Sequence, residues 1–298
     1  MIGMLLALAS GFGFSVEQVF VRKGAHRSGE SFSPVVISLF LGVIVFGILV
    51  VISGEVNEMA SLSWLGVSSL TGAGILHFLI GRMAAYTSVR LIGANRAVPI
   101  HSSNLLFAAL LGIIFLKESF GVPLLLAILL ISGGIILIGA RRAPRATETN
   151  ISRGTLTKGV LAALTSAICW SVSPLLVKIG LNEVGSPLLG TFISYIAASI
   201  IMGILVSYPG NNQRLRRLER TSLIPFTIAS IAVSVGQLCR YVALDYTQIS
   251  IAIPLIGSAR ALFTFPLSFL FNRQIESFNL RTMIGAISIV MGIFLLML

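Results

Sequence analysis

Arg260 stands at the centre of SIAIPLIGSARALFTFPLSFLF (250–271), a run otherwise almost wholly apolar or small. A guanidinium is charged at any working pH. At the midpoint of a membrane helix it costs about 2.5–3.5 kcal/mol on insertion scales. Ser250, Gly257, Arg260, Thr264 and Ser268 recur at helical spacing, with Leu, Ile and Phe opposite. Such a stripe should face a cavity. The chemistry it offers is recognition, through charge-assisted hydrogen bonds to a carboxylate or another anion. A structural ion pair and a part in gating are the other readings.

Further polar side chains fall inside apolar segments. Glu17 shares a face with Ser10 and Gly13. It reads as a counter-ion of Arg260, as a proton carrier, or as an interfacial residue near Arg22. His77 lies between Gly74 and Gly81, and is either a ligand-binding or a packing residue. His101 and Asn104 lie on a stripe with Ala94, Ala97, Ala108 and Gly112. Trp170, between Ser166 and Ser173, is a stacking surface for a solute or a packing residue. Gln237 and Tyr241 are one helical turn apart, with Arg240 nearby. Arg260, Asn104, His101, Glu17, His77, Trp170, Gln237 and Tyr241 are therefore the candidate substrate-binding residues. Arg82 and Arg240, read as lying nearer helix ends, are candidates for a gate, for headgroup contacts, or for snorkelling. Pro99 and Pro254 each remove a backbone hydrogen bond. They are candidate helix breaks beside a polar cavity, or kinks that aid packing.

No catalytic set accompanies these residues. The chain lacks GxxxxGK[ST], HExxH, a paired Asp-rich motif and a Ser/His/Asp set. No cofactor and no metal are expected. Cys169 and Cys239 fall inside apolar segments and read as buried thiols.

These residues are carried by a chain made for lipid. Of 298 residues, 56% are hydrophobic and only 10% charged, against about 25% charged in a soluble protein. Too few polar side chains exist to cover a water-facing surface. Apolar runs predict ten helices, near 2–21, 34–53, 62–82, 94–116, 119–140, 157–177, 187–208, 222–244, 249–271 and 279–298. The opening MIGMLLALASGFGFS lacks a basic leader, and its apolar run continues to Val21, so it reads as a helix rather than a signal peptide.

The chain also repeats itself. ALASGFGFSVEQVFVRKG (7–24) matches ALTSAICWSVSPLLVKIG (163–180) at an offset of 156, which aligns Ser10 with Ser166 and Glu17 with Ser173. Ser33-Pro34 and Ser186-Pro187 each open the next helix, with Ser as N-cap. Arg82/Arg240, Glu118/Glu276 and Gly134/Gly292 align at an offset of 158, and Pro99 matches Pro254 once a gap of three is allowed. The reading is an all-α integral membrane protein of two five-helix repeats, 1–143 and 155–298, joined by a basic linker at 144–154. Five is odd, so the second repeat is inverted in the bilayer, the construction of many secondary transporters.

Seventeen of the 21 Lys and Arg residues fall on one face under this layout. The positive-inside rule makes that face cytoplasmic. It places the central linker inside and both termini outside, in a multi-pass protein of the cell membrane. The net charge of +11 expresses this rule, and no folded basic domain suggests nucleic-acid binding.

The two five-helix halves, the Pro-bearing fourth helix and the stretch FLKESFGVPLLLAILLISGGIILIG (115–139) resemble the EamA-type permeases of the drug/metabolite transporter superfamily. The chain departs from that family in FNRQIESF, where Glu276 sits a few residues late. It departs also in its charges, because family members are often drawn with both termini inside. The resemblance implies ten transmembrane helices, a central cavity and movement of small metabolites. The expected function is a secondary transporter, an exporter or exchanger, for a small polar or amphipathic metabolite that carries an anionic or carboxylate group. Its cavity is lined by helices 1, 3, 4, 6, 8 and 9, with proton coupling open, and it works as a monomer or homodimer. The alternatives are a flippase for a lipid-linked carrier and a membrane-embedded transferase.

Overall fold

Apolar side chains bury their backbone best as helices where water is scarce, and this chain forms little else. The computed structural model describes residues 1–28, 32–119, 121–139, 152–216, 220–271 and 280–297. Ten principal helices run in order: α1 Ile2–Ser28, α2 Ser33–Ser53, α3 Trp64–Ile92, α4 Ala94–Leu116, α5 Val122–Gly139, α6 Arg153–Val184, α7 Pro187–Ser207, α8 Arg220–Tyr246, α9 Ile249–Phe271 and α10 Leu280–Met297. A 3-10 turn at Glu55–Ser61 and a short helix at Pro209–Arg216 join them. The described residues contain no strand. Eight of the helices are long and apolar enough to cross a bilayer; α5 and α10 are apolar but shorter. Residues 140–151, which include most of the expected linker, together with Phe120, Arg273, Glu276, Ser277 and Phe278, lie outside the described residues, and α6 already begins at Arg153 within that linker's expected end.

Several helices exceed their predicted lengths. α1 runs to Ser28, α3 to Ile92, and α6 from Arg153 to Val184. Hydropathy marks only the oil-facing stretch of a helix. The backbone ladder continues through polar flanks until a cap ends it. Gly93, at φ +76°, is the single residue between α3 and α4, a conformation glycine adopts without a Cβ clash. At α7 the expected cap forms, with Ser186 Oγ accepting from Leu189 N at 3.1 Å. At α2 it does not: the cap position is Phe32, with no side-chain cap bond, and Pro34 sits in the first turn.

The packing joins the two halves of the chain. α1 lies mainly against α8 and α9, and α6 lies against α3 and α4. α2 meets α7 and α8, and α5 meets α10. The α1–α8 crossing uses small residues, which allow close approach. A Cβ added at Gly13 would lie 2.8 Å from Ala232 O and 3.0 Å from Gly236 Cα. Outward faces are apolar, with Ile44, Ile114, Leu129, Ile200, Val235 and Phe294 exposed. So broad an apolar exterior suits lipid and not water.

A candidate polar site inside the bundle

The repeat places one guanidinium at matching positions of α3 and α8, and both are buried. Arg82 is 8% exposed and Arg240 is 2% exposed. The readings of Arg82 and Arg240 as headgroup contacts or snorkelling side chains are corrected by this burial. α3 continues to Ile92, so Arg82 lies well inside its helix rather than at the end.

Glu17 of α1 is the counter-ion of Arg82. Its Oε1 lies 3.7 Å from Arg82 Nη2, and Arg82 Nη1 donates to Ser38 Oγ at 3.0 Å. The expected partner of Glu17, Arg260, is engaged elsewhere: its Nε donates to Gln18 Oε1 at 3.1 Å. Arg260 is half-buried, and its backbone carbonyl accepts from Ser15 Oγ and Thr264 Oγ1. Neighbouring residues of one helix thus hold two arginines, because Glu17 and Gln18 point about 100° apart.

Arg240 is less well satisfied. Its Nη2 donates to Ser173 Oγ at 3.3 Å, and its guanidinium lies 5.8 Å from the Tyr241 ring centroid. Its Nη1 is buried with no hydrogen-bond partner. Tyr241 turns its hydroxyl to Ser194 Oγ at 2.8 Å, and Ser194 donates to Leu70 O at 2.7 Å. Gln237 is 1% exposed, and its Oε1 also lacks a partner.

The aromatic members meet where α3, α4 and α6 converge. Trp170 Nε1 donates to His77 O at 3.3 Å. The Trp170 ring lies 6.1 Å from the His77 ring and 5.8 Å from the His101 ring. His101 Nε2 shares a hydrogen bond of 2.9 Å with Ser88 Oγ. His77 lies in a π-helical segment, Ile75–Gly81. Such segments rotate the following side chains and are frequent at functional sites. His77 Nδ1 is buried without a partner, and Arg82, Arg240 and Arg260 all lie within electrostatic reach of it. Asn104 is half-buried, and its backbone carbonyl accepts from Ser171 Oγ at 3.3 Å.

Pro99 and Pro254 do not break their helices. α4 and α9 run unbroken through them. Each proline sits five residues after the first residue of its helix, in the second turn. The missing hydrogen bond therefore falls near the helix start.

Sequence reasoning missed the polar residues that tie the rim. Glu118 accepts from Ile249 N at 2.6 Å and Ser250 N at 2.9 Å, capping α9. Lys178 Nζ donates to the carbonyls of Leu244, Asp245 and Thr247 at 2.6, 3.2 and 3.1 Å, capping α8. The α8–α9 turn is thus held at both ends, by Glu118 of the α4–α5 connection and Lys178 of α6. The acidic residue before α5 was visible as a motif; its acceptor role needed α9 beside it. Among the described residues no group of three His, Cys, Asp or Glu is placed to hold a metal.

Together the helices define a multi-pass membrane protein with a charged, partly unsatisfied interior. Residues 1–140 and 157–298 each match the model of the EamA-like transporter family. The chain belongs to that family, whose members are transporters rather than enzymes. A solved crystal structure superposes with a TM-score of 0.69 at 16% sequence identity, covering 96% of this chain and 96% of that chain. That likeness shows the fold. No curated protein matches the sequence.

Proposed function

We propose that this protein is a secondary transporter of the cell membrane that moves a small polar or amphipathic metabolite by alternating access. Two inverted five-helix repeats rock about a site between α1, α3, α4, α6, α8 and α9. The observation that carries this reading is the set of buried polar atoms left without partners. They include Ser10 Oγ on α1, His77 Nδ1 on α3, Ser166 Oγ on α6, and Gln237 Oε1 and Arg240 Nη1 on α8. An apolar bundle has no structural use for unmet hydrogen bonds, each of which costs about 1–3 kcal/mol. A solute that enters the bundle meets them. The crossed pairing of helices, α1 with α8 and α9 and α6 with α3 and α4, supports a rocking motion, because both pairs are equivalent under the repeat. The inner interior holds more positive than negative charge, which favours an anionic group on the solute.

The test is a thermal-shift screen of metabolites on purified protein, followed by counterflow of each stabilising compound in proteoliposomes. Saturable counterflow that needs preloaded solute supports the reading. Stabilising compounds that never cross the bilayer would refute it.

A further inference from the structure

We infer that Arg240 is a carboxylate subsite, where a carboxylate of the solute takes the place that Glu17 holds beside Arg82. The inference rests on the transporter reading above and names the class of solute.

The two halves make the same contact twice. The offset of 156 that aligns Ser10 with Ser166 aligns Glu17 with Ser173, and the offset of 158 aligns Arg82 with Arg240. In one half, Arg82 Nη2 lies 3.7 Å from Glu17 Oε1. In the other, Arg240 Nη2 lies 3.3 Å from Ser173 Oγ. The scaffold is repeated and the carboxylate is not. Among the described residues Arg240 has no carboxylate partner, although it is 2% exposed. Removing one partner of a buried ion pair is ordinarily costly, since the other charge stays uncompensated. Here the chain itself has removed it.

The shape of the missing group follows from the same comparison. Glu exceeds Ser by a carboxymethyl group in place of the hydroxyl, so the absent element is a small planar carboxylate. Arg prefers such groups, binding both oxygens through parallel N–H bonds. Arg240 has Nη1 free for one of these bonds and Nη2 on a neutral hydroxyl. One turn away, Gln237 Oε1 is buried and without a donor. A solute with an N–H or O–H beside its carboxylate satisfies both residues. Arg260 is the weaker anchor, because it is half-buried and already bonded to Gln18.

The closing experiment supplies the carboxylate from the chain. Full-length protein in detergent is titrated with sodium acetate, lactate and benzoate, with their amides, and with sodium phosphate, following the thermal midpoint. Wild type is expected to be stabilised by carboxylates, most by lactate, and not by the amides. Ser173→Glu and the shorter Ser173→Asp are expected to raise the ligand-free midpoint and weaken carboxylate binding by about thirtyfold or more. Arg240→Gln abolishes the response, while Ser173→Ala and Arg260→Gln retain it. The proposal falls if no carboxylate gives an Arg240-dependent shift, if phosphate alone does, or if folded Ser173→Glu and Ser173→Asp bind carboxylates like wild type. Counterflow separates the two readings. Flux that survives Arg240→Gln removes the subsite and leaves the transporter. An Arg240-dependent shift without flux leaves the subsite and removes the transporter.

Discussion

Glu17 and Arg82 hold each other at 3.7 Å inside the bundle, with Ser38 taking a second N–H of the guanidinium. Removing one member of such a pair strands the other. Glu17→Gln is expected to lower stability by about 3 kcal/mol, read by denaturant unfolding in micelles. Adding Arg82→Gln to it should cost less than the two single changes summed, which a double-mutant cycle measures. Arg260→Ala should cost under about 1 kcal/mol by the same measurement, since its side chain is half-buried and ends on one neutral partner. The residue types of this site were legible in the sequence, and the pairings were not. Glu17 could be seen as a buried acid. That its partner is Arg82 depends on where the tertiary fold sets α3 relative to α1, and no local spacing encodes that distance. The unmet Arg240 was legible only in part: its repeat partner was visible, and so was the exchange of Glu17 for Ser173. Their meeting in space was needed to join the two facts.

The helices themselves were plain from apolar runs, and α9 spans the predicted 249–271. Their ends were not plain, because a helix outlasts the membrane-facing stretch that betrays it. The π-helical segment at Ile75–Gly81 left no mark in the sequence, since a widened turn changes hydrogen-bond register and not composition. Two predictions belong to this scale. Glu118→Gln keeps one acceptor at the start of α9 but loses the charge that faces the helix dipole. It should lower stability by about 1 kcal/mol and raise amide exchange at Ile249 and Ser250. Gly13→Ala places a methyl 2.8 Å from a backbone carbonyl of α8. Backbone cannot swing aside as a side chain can, so a loss of about 1–3 kcal/mol is expected in thermal unfolding.

Across the whole molecule, we propose that charge bias sets the sides. The layout predicts that a phosphatase reporter fused after Leu298 is active outside the cytoplasm, while the same reporter inserted at residue 148 is silent. Silence at Leu298 with activity at residue 148 would reverse the assignment. The internal repeat was the part of the architecture most open to reading, because seven identities recur between 7–24 and 163–180. How the repeats engage was hidden, since identity between segments says nothing about which helices touch. The chosen engagement has a consequence for synthesis. α1 emerges from the ribosome well before α8 and α9, its main neighbours. Until α8 and α9 have emerged, Glu17 and Ser10 must wait in the translocon or in lipid without the surfaces that shelter them. Assembly of this protein is therefore decided when helices of the second repeat arrive to claim the first.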